Sequence, residues 1–151
     1  MSAEGNAAQS WPAIRPGRLG AGVVLDAGIL WALRVASAPN HARVRDRILA
    51  LAGEGPPLLV VFTTLMEVAD RVEEHYGGAA MLDLVAEARD AFNLVPPDAV
   101  DFTAALDVLG QGAVGMNLEQ AVAGVVAKRL GCSIYGSSPG YHLMRLPVIV
   151  A

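Results

Sequence analysis

Three acidic or acid-like positions in this chain fall where a strand ends or a helix begins. Asp26 follows the apolar run "VVL", Glu67 lies in "TTLMEVAD", and Glu119 with Gln120 opens "LEQAVAGVVAKRLG". A carboxylate just past the carboxyl end of a first strand stands where α/β domains tend to bind ligands. Such a group can bind a metal or simply cap the helix that follows. Asp26 admits both readings, and Gly28 after it favours the ligand role. Thr64 and Glu67 have the spacing of a capping box, in which Glu67 reaches back to the Thr64 amide. Asn117 and Gln120 repeat that N-cap and N3 spacing, which leaves Gln120 a local structural role without charge.

Other polar residues carry less chemistry. Ser138 lies in "GSSPGYH", a turn by composition, and its hydroxyl is at best a weak neutral ligand. His142 is close by, but a lone loop histidine is more often polar surface. His41 and His75 sit beside expected helix ends and should meet backbone or solvent. Cys132 precedes an apolar strand and reads as a small buried hydrophobe. Trp31 has apolar neighbours at helical spacing and reads as core. A haloacid-type phosphatase would need an acid where Gly28 stands. A receiver domain would need an Asp after a central strand and a Lys after a late one. "LLVVFTT" and "CSIYGSS" supply neither. "GQGAVGMN" has no Lys and no preceding strand, so it is not a phosphate loop.

The elements that must position these residues alternate along the chain. Strands are expected at 23–26, 58–62, 92–95, 132–135 and 147–150. Helices are expected at 28–37, 41–52, 64–76, 79–91, 98–109 and 118–130. "LLVVF" is apolar on both faces, as a parallel strand must be. Five short strands with intervening helices predict an α/β domain built on a mostly parallel sheet. Residues 1–22, rich in Ala, Gly, Pro and Ser, read as a flexible leader in which Trp11, Arg15 and Arg18 could form a partner-binding arm. The domain itself is expected over 23–151.

At 151 residues the chain suffices for one domain with a real core. Its 54% apolar and 17% charged residues argue against disorder. Mean hydropathy is +0.43, yet "LLVVF" and "AVAGVVA" fall far short of the ~20 residues of a spanning helix, so no membrane association is expected. "MSAEGNAAQS" lacks the basic and apolar regions of a secretory signal. One cysteine fits a reducing compartment, and a cytoplasmic protein is expected. The net charge of −4 argues against a broad basic surface for nucleic acid. An arginine rim remains open at Arg43, Arg45 and Arg47, or at Lys128 and Arg129, although a solvated helix surface is the plainer reading.

The strand-plus-Asp of "VVLDAGILWAL", the helix "HARVRDRI", the segment "VVFTTLMEVADRV" and above all "LEQAVAGVVAKRLGCSIYGSS" resemble, in this order, the PIN-domain family. Within it they resemble the VapC-like toxin ribonucleases of toxin–antitoxin pairs. The resemblance spans about residues 23–150. It implies a PIN-like fold, a carboxylate cluster for Mg²⁺ or Mn²⁺, a water activated against an RNA phosphodiester, and RNA, an antitoxin protein or a second copy as partners. By position Asp26 matches the family's first acid and Glu67 its second. The third falls at Gln120 and the fourth at Ser138, so two acids are replaced. Glu119 is the substitute at hand, but it lies about 100° around the helix from Gln120. The expectation is a degenerate metal site, impaired or inactive as a ribonuclease and kept for binding. The alternative is an active Mg²⁺- or Mn²⁺-dependent endoribonuclease of the toxin type.

Overall fold

The computed structural model of the chain describes residues 22–113 and 115–150. Of the leader expected over 1–22 only Gly22 is among them, and Trp11, Arg15 and Arg18 lie outside the described residues. Gly22 already joins the sheet, its carbonyl accepting from the Ser133 N–H at 3.0 Å.

The chain runs β1 (Val23–Leu25), α1 (Ala27–Arg34), α2 (His41–Glu54), β2 (Leu58–Val61), α3 (Phe62–Tyr76), α4 (Gly78–Ala91) and β3 (Asn93–Val95). It continues through α5 (Ala99–Gly110), α6 (Leu118–Leu130), β4 (Ser133–Tyr135), α7 (Gly140–Leu143) and β5 (Val148–Ile149). The five strands form one sheet in the order β3-β2-β1-β4-β5, and every pairing is parallel. This is the expected α/β architecture. The helix α7 was not anticipated, because its sequence reads as a turn.

Strand alternation divides the core into two layers. Val23, Leu25, Leu58, Val60 and Tyr135 pack against α1 to α4 on one face. Val24, Leu59, Val61, Val95 and Ile134 pack against α5 to α7 on the other. With both faces covered, β-branched and leucine side chains fill the central strands β1 and β2, which is why "LLVV" shows no polar alternation. Trp31, expected in the core, is only half-buried. It packs on the rim of the first layer, with the Arg71 guanidinium 4.2 Å above its ring and His75 edge-on to it.

Helix starts explain several local choices. Asp26 caps α1 by accepting from the Ile29 N–H, and Asn117 and Gln120 form the expected capping box on α6. The Thr64–Glu67 box does not form. α3 grows straight out of β2 with Val61 at its cap position and no side-chain cap, so Thr64 already lies within the first turn.

Lys128 and Arg129, the second candidate for a basic rim, are committed to the fold. Lys128 donates to the Met144 carbonyl, and Arg129 grips Asp101 with Nε and Nη2, both at 2.9 Å. Arg43, Arg45 and Arg47 do lie on an exposed surface, where Arg45 pairs with Asp46. Asp101 is buried and also completes a capping box with Asp98 at the start of α5. Burial works to raise the Asp101 pKa, but the Arg129 guanidinium and the Asp98 N–H together hold it below its ordinary value. Asp101→Ala removes both the box and the ion pair and should cost about 2 kcal/mol, read as a lower urea midpoint. Asp101→Asn, which can keep the box, should recover part of that loss.

Candidate functional site

The strand order fixes where a site can form. The chain steps outward from β1 to β2 and β3, then returns across β1 to β4. Connections therefore leave the carboxyl ends of β1 and β4 in opposite directions, opening a crevice at that point. Asp26 stands just after β1, and Gly136 just after β4. The Asp26 N–H donates to the Tyr135 carbonyl at 3.1 Å, so the two strand ends stay paired up to this crevice.

Asp26 is 2% exposed. Its Oδ1 accepts from the Ile29 N–H at 3.1 Å, and its Oδ2 accepts from the Tyr141 hydroxyl at 2.8 Å. Burial raises the Asp26 pKa. The Ile29 N–H, the Tyr141 hydroxyl and the Gly28 N–H pull it back, and the charge of Glu67 adds to the rise.

The second acid at this end of the sheet is Glu119. It is buried, and its Oε2 accepts from the Thr64 hydroxyl at 2.5 Å and from the Ala27 N–H at 3.2 Å. Ala27 is the first residue of α1, so Asp26 and Glu119 both meet the same helix N-terminus, where exposed N–H groups favour negative charge. Burial, with the charges of Asp26 and Glu67 behind it, nevertheless pushes the Glu119 pKa up to about 7, against the pull of Thr64. Near neutral pH this carboxyl therefore stands near the midpoint between its protonated and ionised forms.

Sequence reasoning placed the third acidic position at Gln120. In the structure Gln120 turns away, its Oε1 accepting from the Asn117 N–H at 2.9 Å. The box that claims Gln120 leaves the preceding residue to face inward, and that residue is Glu119. Glu67 lies half-buried on α3, one turn beyond Thr64, and its charge acts on both buried acids. Ser138 is buried but occupied: its hydroxyl donates to the Gly115 carbonyl at 2.9 Å and accepts from the Gly140 N–H at 3.2 Å. His142 is exposed on α7. His41 meets the Ala32 carbonyl and His75 the Arg71 carbonyl, the backbone roles expected of them. Cys132 is buried as expected.

Two residues at the centre of the arrangement carry only a weak sequence signal. Tyr141 is fully buried, and its pKa is raised by burial and by the nearby Asp26 and Glu119 charges, so its hydroxyl keeps its proton. Gly136 makes room for the contact. A Cβ there would overlap Asp26 Oδ2 and lie 2.7 Å from both Asp26 Cγ and Tyr141 Cε2. A glycine after a buried strand, followed by an aromatic in a turn, was the trace to notice.

The network joins distant parts of the chain. Asp26 and Tyr141 are 115 residues apart, Ala27 and Glu119 92, and Thr64 and Glu119 55. Among the described residues, no group of three or more His, Cys, Asp or Glu side chains stands close enough together to hold a metal ion. No described helix is long and apolar enough to cross a membrane.

No protein-family model matches the sequence, and no curated protein matches it. Solved structures do. VapC20 of Mycobacterium tuberculosis, described as a sarcin-ricin loop cleaving toxin, is 16% identical with a TM-score of 0.71, over 83% of this chain and 96% of that one. FitAcB of Neisseria gonorrhoeae is 13% identical with a TM-score of 0.64, over 84% and 96% of the two chains. VapBC2 of Rickettsia felis, solved bound to a DNA fragment from its promoter, is 9% identical with a TM-score of 0.66, over 85% and 97%. The fold is thus PIN-like, of the kind seen in VapC toxins.

Proposed function

We propose that this chain is a PIN-like module with a degenerate acid site, which acts by binding a partner and does not cut RNA. One observation carries the reading. Both oxygens of Asp26 and the Oε2 of Glu119 already accept hydrogen bonds, from Ile29, Tyr141, Thr64 and Ala27. Ser138, at the family's fourth position, has its hydroxyl committed to Gly115. Divalent ions such as Mg²⁺ and Mn²⁺ take oxygen ligands in a demanding geometry, and ligand number and charge set the affinity. A neutral serine and an outward-turned Gln120 at two of the family's four positions do not meet that demand. The donor set does not fit Mg²⁺ or Mn²⁺.

A protein partner suits the chemistry better than RNA. The net charge is −4, and Arg34, Arg45, Lys128 and Arg129 are engaged within the chain. The similar structures include VapBC2 and FitAcB, and a small antitoxin-like protein is the partner of choice.

The test is a cleavage assay on structured and single-stranded RNA with millimolar Mg²⁺ or Mn²⁺, run beside Asp26→Ala. Wild type and variant should give the same background. Metal-dependent cleavage lost on Asp26→Ala would overturn the reading. Co-purification with the product of an adjacent small gene, in the presence of a chelator, should give a stable complex. Tight RNA binding without that complex would make RNA the partner instead.

A further inference from the structure

Resting on that reading, we infer that the Tyr141 hydroxyl is the group that keeps a divalent ion off Asp26, so that the crevice holds a protein-made contact where a cation would have to bind. Asp26 has two oxygens. The first is fixed by the Ile29 N–H, as the side-chain cap of α1. Only Oδ2 remains to face the crevice, and the Tyr141 hydroxyl donates to it at 2.8 Å. The phenol takes up one lone pair of that oxygen, draws charge from it and occupies the space in front of it, which weakens Oδ2 as a cation ligand.

The surroundings are built for this contact. Tyr141 is wholly buried, so its hydroxyl has no solvent to turn to and stays on Asp26. Gly136 lets carboxylate and ring come together, since any Cβ would meet both. The turn before α7 is fixed by Ser138, which bonds to Gly115 on one side and Gly140 on the other. The Tyr141 N–H donates to the Ser138 carbonyl at 3.2 Å, and the Tyr141 carbonyl accepts from the Leu146 N–H at 3.2 Å. The phenol is therefore held from its own backbone, not swung in by chance. Glu119 is treated alike, with the Thr64 hydroxyl on its Oε2. Asp26, at the family's first acid position, and Glu119, next to its third, have become the ends of hydrogen bonds that join α1, α3, α6 and α7.

The experiment titrates Mn²⁺ alone into wild type, Tyr141→Phe and Tyr141→Phe/Asp26→Asn, reading free Mn²⁺ by electron paramagnetic resonance. Tyr141→Phe keeps the ring and removes only the proton donor. It should take up Mn²⁺ at least tenfold more tightly than wild type, and the double variant should lose that gain. Equal affinity in wild type and Tyr141→Phe would overturn the inference. Should Tyr141→Phe fail to fold, wild type still decides it. Millimolar Mn²⁺ should leave the amide signals of Ala27, Gly28 and Ile29 unbroadened in nuclear magnetic resonance spectra, and selective broadening there would overturn it. The outcomes stay separable from those of the proposed function. Mn²⁺ uptake by wild type without RNA cleavage sinks this inference and the donor-set argument, and leaves the non-catalytic reading standing. RNA cleavage that persists in chelator, with no Mn²⁺ uptake, sinks only the non-catalytic reading.

Discussion

Gly136→Ala is expected to destabilise the fold by about 3 kcal/mol, a large share of the margin of a domain this size. The added methyl would overlap Asp26 Oδ2 and crowd the Tyr141 ring at 2.7 Å. Neither neighbour yields cheaply. Asp26 is short, buried and held by the Ile29 N–H, and Tyr141 has no exposed surface into which to retreat. If Asp26 rotates away it abandons the Tyr141 hydroxyl, leaving two polar groups in the core without partners. Urea unfolding should show a lower midpoint with an unchanged slope. Asp26→Ala removes the atoms that the methyl strikes, so the double variant should be less damaged than the two single losses added together. A Gly136→Ala midpoint equal to wild type would show that the crevice is looser than its contacts indicate.

The layered α/β fold was legible because its signals are local. β-branched and leucine runs bounded by Gly and Pro mark strands, and caps at Asp26 and Asn117 mark helix starts. The site was legible only in part, because side-chain partners chosen across the fold leave no local trace. Thr64 and Glu67 have ideal box spacing, yet β2 passes into α3 without a loop and the helix starts two residues early. Thr64 is thereby released to bond Glu119, a partner 55 residues away. Between Glu119 and Gln120, spacing from the family pattern selects Gln120, whereas the Asn117 box claims that side chain and leaves Glu119 to turn inward. Tyr141 was hidden by its turn-like surroundings, since "GSSPGYH" is polar enough to suggest a surface loop. Only the return of α7 across the end of β4 brings it to Asp26.

Raising the pH from 5 to 8 should weaken wild type relative to Glu119→Gln by on the order of 2–3 kcal/mol, and Glu119 is the reason. Burial lifts its pKa from 4.5 to about 7, with Asp26 and Glu67 adding their charges. A carboxyl whose folded pKa lies above its unfolded value binds protons more tightly when folded. Its contribution is complete below about 4.5 and is lost as the pH climbs through about 7. Asp26, also raised, acts in the same direction. Glu119→Gln cannot ionise, yet its carbonyl oxygen can still accept from the Thr64 hydroxyl and the Ala27 N–H. The variant should lack this part of the pH slope and be the more stable protein at pH 8. At pH 5, where the Glu119 carboxyl is protonated, the two should be nearly equal. The readout is the difference between the two urea midpoints at each pH, which cancels the titration of Asp101 and the surface carboxylates. A difference that stays constant from pH 5 to pH 8 would mean that Glu119 ionises in the folded protein as easily as in water. Its burial against Thr64 and Ala27 would then be too wet to shift it.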